Sequence, residues 1–222
     1  MLKSSQSAEH LLDSQGVWCQ ILRRPLPGRP ALFLDRDGAI VEDTGYLCRV
    51  DEIVVIPGAA EAIAAANRRN IPVIIVTNQS GIGRGYYGWA EFKSVLDAIV
   101  ASLATEGAKI DAVYACAHHP EARGALAHPD HPARKPNPGM LLQAATALAL
   151  DLKSSWLVGD KADDIDAAKR AGIAGALLVA TGYGKAERQR AAALASPAFE
   201  VRFGRSIADT ITLPLLMSRH GA

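Results

Sequence analysis

Two carboxylates lie close together in the sequence Asp35-Arg36-Asp37-Gly38, where an apolar run ends in a glycine turn. If the run forms a strand, Asp35 and Asp37 point to the same side of it, because alternate residues of a strand share a face. Two carboxylates at such a short distance raise each other's pKa unless a positive group offsets their charges. Three arrangements make such a pair tolerable: a bound cation, a shared proton, or a covalent task for one carboxylate.

Further polar side chains stand at comparable places along the chain. Thr77 and Asp160 each follow an apolar run, and Lys135 follows a long segment rich in His and Pro. Ligands of doubly wound sheets bind at the carboxyl ends of the strands. We therefore expect these side chains to meet Asp35 and Asp37 at one site.

The elements that must position these groups alternate between two kinds. The predicted strands are 31–35, 73–77, 111–115, 156–159 and 176–179. The predicted helices are 59–69, 89–106, 140–150 and 163–171, and residues 117–138 are predicted to form one long loop. Short, wholly apolar strands between helices favour a parallel sheet covered on both faces. We predict an α/β fold, a three-layer doubly wound parallel sheet.

We predict two parts of the chain. Residues 1–30 form an N-terminal arm and linker, because the Pro-rich run at 25–30 resists both helix and central strand. Residues 31–222 form one catalytic domain. A strand edge and a helix already occupy 54–66, so no room is left for a cap domain between Asp35 and Thr77.

Composition restricts the partners and the compartment. The 24 basic and 23 acidic residues leave a net charge of +1, so no global field favours nucleic acid or a membrane. Three scattered cysteines are too few for a disulfide framework and indicate a reducing compartment. No apolar stretch reaches the ~18 residues of a membrane span, and the first residues lack the core of a secretory signal. We expect a soluble cytoplasmic protein and favour a monomer, although the sequence leaves the oligomeric state open.

The grouped side chains suit one kind of chemistry. Carboxylates provide oxygen ligands for Mg²⁺, whose coordination shell a substrate phosphate usually completes. Fixed cations hold phosphate oxygens, and one carboxylate can act as a nucleophile while a second transfers protons. The combination indicates phosphoryl transfer through a covalent aspartyl intermediate.

Four motifs carry a family resemblance: the Asp35–Asp37 pair, Thr77, Lys135 and Gly-Asp160-x-x-x-Asp164. They resemble the motifs of the haloacid dehalogenase-like (HAD) phosphatases. More narrowly, the chain resembles the D-glycero-D-manno-heptose 1,7-bisphosphate 7-phosphatases and the related histidinol-phosphate phosphatases. The narrower resemblance rests on residues 34–38, 43–46, 77–85, 116–120, 134–140 and 159–161, within a matching region of about 31–184.

The resemblance implies a role for each matching residue. Asp35 is the implied nucleophile and Asp37 the general acid and base. Asp35, the backbone carbonyl of Asp37, and Asp160 are the implied Mg²⁺ ligands, while Thr77 and Lys135 orient and neutralise the phosphoryl group. The residues implied for substrate binding are Asp43, Thr44, Gly45, Tyr46, Asn78, Gln79, Ser80, Arg134 and Lys161. Asp164 is expected to support the site from behind.

Relatives in the family carry a structural zinc on the loop before the Arg-Lys-Pro sequence. Cys116 and His118 match the first half of that zinc motif, but the second half here reads His131-Pro-Ala133, and alanine binds no metal. His128 or Asp130 could replace the missing ligand, because zinc accepts imidazole nitrogen and carboxylate oxygen. The sequence leaves zinc open.

The predicted function is Mg²⁺-dependent hydrolysis of a sugar phosphate, with heptose 1,7-bisphosphate at its 7-position as the first candidate. Histidinol phosphate or another small metabolite is the alternative substrate, and a non-enzymatic binding module is the alternative class. We interpret the glycine series at positions 81, 83 and 85 as a flexible substrate loop, since it lacks the spacing of a dinucleotide-binding loop.

Overall fold

The computed structural model describes residues 11–217. Within that range seven strands form one sheet in the order β1-β4-β3-β2-β5-β6-β7. They are β1 (Trp18–Ile21), β2 (Leu32–Leu34), β3 (Val73–Asn78), β4 (Ala112–Cys116), β5 (Trp156–Gly159), β6 (Gly175–Val179) and β7 (Glu200–Gly204). Strands β2 to β7 run parallel, and β1 pairs antiparallel with β4.

Helices cover both faces of this sheet. They are α1 (Ala59–Arg68), α2 (Ser80–Arg84), α3 (Trp89–Thr105), α4 (Gly139–Leu148), α5 (Ala162–Arg170), α6 (Gly184–Ala192) and α7 (Pro214–Met217). Short 3₁₀ turns lie at Val50–Glu52, Gly124–Leu126, Leu152–Ser154 and Ile207–Thr212. Leu32 and Leu34 join the core beneath α1 and α3, whereas Phe33 between them joins the core beneath α4 and α5. The predicted three-layer α/β fold is confirmed.

The N-terminal segment belongs to the domain over its described part. Strand β1 pairs along its whole length with β4, and Trp18 is fully buried. Its indole ring stacks on Trp89 at 5.4 Å and meets the edge of Phe92 at 5.3 Å. Residues 18–21 of the predicted arm therefore form an edge strand of the sheet, and a four-residue strand with one half-buried polar position has little sequence signature. Residues 1–10 lie outside the described residues.

The predicted flexible glycine loop is also wrong, because residues 80–84 form helix α2. A Cβ atom on Gly83 would collide with the carbonyl oxygen of Ala117 and lie 2.9 Å from the Cβ of Ala122. The glycine therefore lets α2 pack directly against the His-rich loop. Close packing, not mobility, explains this glycine.

The remaining connections leave one edge of the sheet free of any inserted domain. Among residues 11–217, neither the chain from β2 to β3 nor the chain from Lys135 to β5 contains an inserted domain. None of the described helices has the length and apolar character needed to cross a membrane. The carboxyl ends of β2, β3 and β5 are thus bordered by loops, by α2 and by the first turn of α5.

Candidate active site

The polar groups singled out in the sequence converge at one edge of the sheet. Asp35 follows β2, Thr77 lies at the end of β3, and Asp160 follows β5, as parallel pairing of these strands requires. A cavity of about 280 Å³ opens at this edge. Its lining residues are Asp35, Asp37, Thr77, Asn78, Ser80, Arg84, His119, Arg134, Lys135, Lys161, Asp163 and Asp164.

Lys135 lies at the centre of the charged groups. Its Nζ is 2.7 Å from Oδ1 of Asp35, 2.6 Å from Oδ1 of Asp164 and 2.8 Å from the carbonyl oxygen of Val76. Burial opposes the charge of the ammonium group, but the two carboxylates outweigh this effect and raise the pKa of Lys135. Asn78 fixes the backbone here, donating to the Lys135 carbonyl at 2.9 Å and accepting from the Lys135 N–H at 3.1 Å.

Three carboxylates form a buried acidic cluster: Asp35, Asp160 and Asp164. One oxygen from each lies within 4.8 Å of the others. Burial raises the pKa of Asp35 to about 6, and Asp164 adds to the rise while Lys135 opposes it. Burial and the charges of Asp35 and Asp164 raise the pKa of Asp160 to about 8. A positive ion would relieve this repulsion.

The two carboxylate oxygens of Asp160 differ in their hydrogen bonding, and this difference leaves one of them for a positive ion. Oδ2 accepts the backbone N–H of Tyr183 at 2.8 Å, while Oδ1 is buried with no hydrogen-bond partner among the described residues. A Cβ atom on Gly38 would collide with this carboxylate, so the turn after Asp37 needs glycine there. An all-oxygen donor set with an unpartnered buried oxygen fits Mg²⁺.

The carboxylate of Asp37 lies apart from the acidic cluster. Arg36 Nε donates to its two oxygens at 3.0 and 3.1 Å, and Gln79 Nε2 donates to Oδ2 at 3.0 Å. Arg36 is only 1% exposed, and its guanidinium lies 5.3 Å from the centre of the Phe92 ring. Arg36 is therefore a positioning residue that sequence reasoning missed. Adjacent strand residues point to opposite faces, so only the turn after β2 brings Arg36 and Asp37 together.

Gln79 occupies a supporting position in place of the predicted substrate contact. It is buried, and Nε2 also donates to Thr77 Oγ1 at 2.8 Å. Its Oε1 accepts from the Tyr87 hydroxyl at 2.6 Å and from Arg36 at 3.2 Å. The nitrogen end of the amide therefore links Asp37 to Thr77, while the oxygen end is bound by Tyr87 and Arg36.

The segment 43–46 lies outside the residues that line the cavity. The Asp43 carboxylate accepts from Lys161 Nζ at 3.2 Å, and this ammonium group also lies 4.4 Å from the centre of the Tyr183 ring. Thr44 and Gly45 are exposed, and the ring of Tyr46 packs edge-on against Tyr86 at 4.7 Å. The structure thus gives Asp43 a role in holding Lys161, while Thr44, Gly45 and Tyr46 are exposed and do not line the cavity.

Asp164 contacts Lys135 directly, although the sequence predicted only a supporting role for it. Besides its Oδ1 contact with Lys135, its Oδ2 accepts the backbone N–H of Lys161 at 3.0 Å. This second bond closes the first turn of α5, where carboxylates also interact favourably with the helix dipole. One side chain thus caps a helix and offsets the charge of Lys135.

Comparison with known proteins places this geometry in a family. Residues 132–202 match the HAD-hydrolase-like family model. A D-glycero-beta-D-manno-heptose-1,7-bisphosphate 7-phosphatase of Mesorhizobium japonicum is 52% identical over 172 residues, covering 77% of this chain and 79% of the relative. The same enzyme of Escherichia coli K12 is 39% identical, covering 69% of this chain and 80% of the relative. The chain belongs to the heptose-bisphosphate phosphatase family.

Solved structures agree with this membership. A HAD-like protein from Mesorhizobium loti superposes with a TM-score of 0.81 at 46% identity, covering 93% of this chain and 94% of that one. A second structure is the D,D-heptose 1,7-bisphosphate phosphatase of B. bronchiseptica, crystallised with magnesium and phosphate. It superposes with a TM-score of 0.71 at 31% identity, covering 81% of this chain and 94% of that one. This member of the heptose-bisphosphate phosphatase family is a phosphoric monoester hydrolase, as predicted.

A second group of potential ligands lies in the His-rich loop of this phosphatase. Cys116 Sγ lies 4.0 Å from Nδ1 of His118 and 3.8 Å from Nδ1 of His131, and the two imidazole rings stack at 3.7 Å. Burial, with His118 and His128 nearby, lowers the pKa of His131 to about 4, so its imidazole is neutral. One thiol and two neutral imidazoles within 4.8 Å fit three of the four positions around zinc.

The structure distinguishes the two candidates for the fourth position. Asp130 Oδ1 is engaged by Asn137 Nδ2 at 2.5 Å. The ring of His128 lies 5.1 Å from that of His131, and its Nδ1 accepts the Asp130 N–H at 3.1 Å, which leaves Nε2 for another partner. Ala133 is buried and offers no side-chain donor. His128 is the better-placed replacement.

Proposed function

We propose that this phosphatase hydrolyses D-glycero-D-manno-heptose 1,7-bisphosphate at the 7-phosphate. The observation that carries the proposal is the contact of Asp35 with Lys135 in a cavity lined by three further cations, Arg84, Arg134 and Lys161. Such a cavity suits a ligand with one phosphate at the nucleophile and another negative group further out. Relatives at 39% and 52% identity carry the name of this activity.

The first half of the proposed reaction transfers the phosphoryl group to the enzyme. An oxygen of Asp35 attacks phosphorus, and the bond from phosphorus to the sugar oxygen breaks. Asp37 donates a proton to the leaving oxygen, so the sugar departs as an alcohol. Lys135 and Thr77 hold the phosphoryl oxygens, where fixed donors stabilise the developing charge. The product on the enzyme is an aspartyl-phosphate.

The second half releases phosphate and restores the enzyme. Asp37, now a carboxylate, removes a proton from a water molecule that attacks phosphorus. The bond to Asp35 breaks, and inorganic phosphate leaves. Arg36 and Gln79 keep Asp37 above the reacting atoms in both halves, because they hold its carboxylate through three hydrogen bonds.

The Asp35 and Asp160 carboxylates and the backbone carbonyl of Asp37 would hold Mg²⁺. When bound, the ion offsets negative charge on the transferring phosphate. Asp164 stands behind these groups, since its two oxygens are committed to Lys135 and to the Lys161 backbone. We assign a structural zinc to Cys116, His118 and His131, with His128 as the fourth ligand.

A substrate panel tests the proposal. We expect the highest kcat/KM with α- or β-heptose 1,7-bisphosphate in the presence of Mg²⁺, a lower value with histidinol phosphate, and slow turnover of an aryl phosphate. The Asp35→Asn variant, assayed beside the wild type, measures any contaminating phosphatase. A higher kcat/KM for histidinol phosphate would replace the proposed substrate.

A further inference from the structure

The carboxylate of Asp37 belongs to a closed ring of three hydrogen-bonded side chains. Arg36 Nη2 pairs with Oδ1 of Asp37 at 2.8 Å and donates to Oε1 of Gln79 at 3.2 Å. Gln79 Nε2 closes the ring by donating to Oδ2 of Asp37 at 3.0 Å. The position of the Gln79 amide therefore helps to set the position of the Asp37 carboxylate.

The amide of Gln79 has one orientation that satisfies its neighbours. Its nitrogen faces two acceptors, the Asp37 carboxylate and Thr77 Oγ1. Its oxygen faces two donors, Tyr87 and Arg36. A flipped amide would set its oxygen against the carboxylate and its nitrogen against the guanidinium. A group that holds the amide oxygen thus also holds the amide nitrogen that donates to Asp37.

Tyr87 is the closer of the two donors to the amide oxygen. Its hydroxyl donates to Gln79 Oε1 at 2.6 Å, whereas Arg36 donates at 3.2 Å from a nitrogen that also pairs with Asp37. Burial raises the pKa of Tyr87, so the phenol keeps its hydrogen at neutral pH. The tyrosine hydroxyl therefore anchors the amide more closely than the shared arginine does.

The ring of Tyr87 is itself fixed by the backbone of α2. A Cβ atom on Gly81 would collide with Cε1 of Tyr87, so the ring lies directly against the helix. A few residues further along the chain, in α3, the ring of Phe92 lies 5.3 Å from the guanidinium of Arg36. The segment 87–92 thus supports the ring of side chains at two points, at Gln79 through Tyr87 and at Arg36 through Phe92.

We propose that Tyr87 is a positioning residue for proton transfer: acting through Gln79, its hydroxyl holds Asp37 where this carboxyl group protonates the leaving oxygen. Asp37 gives its proton to that oxygen as the bond to phosphorus breaks, and Tyr87 keeps its own proton throughout. Tyr87 lies outside the cavity lining, so it acts on the reaction only through other side chains. The inference rests on the proposed function for the role of Asp37 as general acid.

The test uses two aryl phosphates of similar size that differ in their leaving groups. 4-Nitrophenolate leaves readily without a proton, whereas phenolate is the stronger base and depends more on the general acid. The readout is the ratio of kcat/KM for phenyl phosphate to kcat/KM for 4-nitrophenyl phosphate. Tyr87→Phe keeps the ring and removes only the hydroxyl, so we expect this ratio to fall about 3- to 10-fold, as the loss of one hydrogen bond predicts.

Tyr114→Phe is the matched control, because Tyr114 is a buried tyrosine of β4 that does not line the cavity. Its ratio should equal that of the wild type. A Gln79→Met variant tests the route of the effect. In that background Tyr87→Phe should lower the ratio no further, because two residues that act as a unit are not additive.

Three outcomes would overturn the inference and leave the proposed function intact. They are an unchanged ratio in Tyr87→Phe, equal losses with both substrates, and a further fall when Tyr87→Phe is added to Gln79→Met. Asp37→Asn tests the proposed function separately, since the proposed mechanism requires it to lower the ratio at least as much as Tyr87→Phe does. A wild-type ratio in Asp37→Asn would instead reject Asp37 as the general acid.

Discussion

The acidic cluster and the Cys116 cluster are two buried groups of three potential ligands, and they are built differently. The carboxylates of Asp35, Asp160 and Asp164 come from separate strand ends and a helix, and all carry the same charge when ionised. Cys116, His118 and His131 come from one strand end and one loop, and the imidazoles of His118 and His131 are kept neutral by burial. The acidic cluster depends on a counter-charge, whereas the Cys116 cluster does not.

Because of this difference, the stability of the folded chain depends more on the acidic cluster than on the Cys116 cluster. A buried charge that loses its partner is costly, because low-dielectric surroundings do not replace the lost interaction. Lys135 is the internal counter-charge of the acidic cluster and contacts two of its three members. Disturbing the acidic cluster should therefore affect both activity and stability, and disturbing the Cys116 cluster should affect chiefly the loop.

The largest effect is expected from Asp35→Asn. The amide has nearly the shape of the carboxylate but is not a nucleophile, so we expect kcat to fall by about 10³-fold or more. The folded state should be at least as stable as the wild type without Mg²⁺, since a repelling buried charge is gone. Steady-state kinetics and thermal unfolding measure the two effects.

Asp97→Asn is the matched control for this prediction, because Asp97 is an exposed residue of α3 paired with Lys93. It should retain wild-type kcat. Turnover by freshly purified, non-deamidated Asp35→Asn at a tenth of the wild-type rate would contradict the mechanism.

The next effect is on stability. Lys135→Met leaves Asp35 and Asp164 buried without their cation, so we expect a loss of about 3–5 kcal/mol in the free energy of unfolding. Urea unfolding in EDTA measures it. The double variant Lys135→Met/Asp164→Asn should recover part of the loss, and failure to do so would show that Lys135 acts mainly by packing.

A smaller effect should come from Mg²⁺ itself. An ion that binds only the folded state at 100 times its Kd adds about 2.7 kcal/mol to stability. Wild-type Tm should therefore rise with Mg²⁺, and Asp160→Asn should remove the rise because it takes away the unpartnered buried oxygen. If Mg²⁺ raises the Tm of Asp160→Asn as much as that of the wild type, the ion binds at a site that does not include Asp160.

The smallest effect is expected in the Cys116 cluster. Cys116→Ala should reduce bound zinc from about one ion per chain to none and lower Tm by about 2–4 °C, equivalent to roughly 1 kcal/mol for a chain of this size. Cys48→Ala, which removes a thiol outside the cluster, should leave the zinc content unchanged. Wild-type protein purified without chelator and free of zinc would refute the assignment.

Sequence patterns located most of the regular structure. The five predicted strands and four predicted helices all form, with bounds that shift by one or two residues. They were visible because buried parallel strands are wholly apolar. Strands β1 and β7 were not predicted, since both lie at sheet edges, where half-buried strands mix polar and apolar residues.

Sequence alone predicted phosphoryl transfer, because Asp35, Thr77 and Asp160 lie at the ends of strands whose parallel pairing brings those ends together. Lys135, which lies in the loop 117–138, was recognised from its motif. How those groups are held depends on the folded chain. Arg36 donates to the carboxylate of Asp37, and the buried Gln79 donates to the same carboxylate. Such contacts depend on side-chain direction and on segments distant in sequence, which local pattern does not encode.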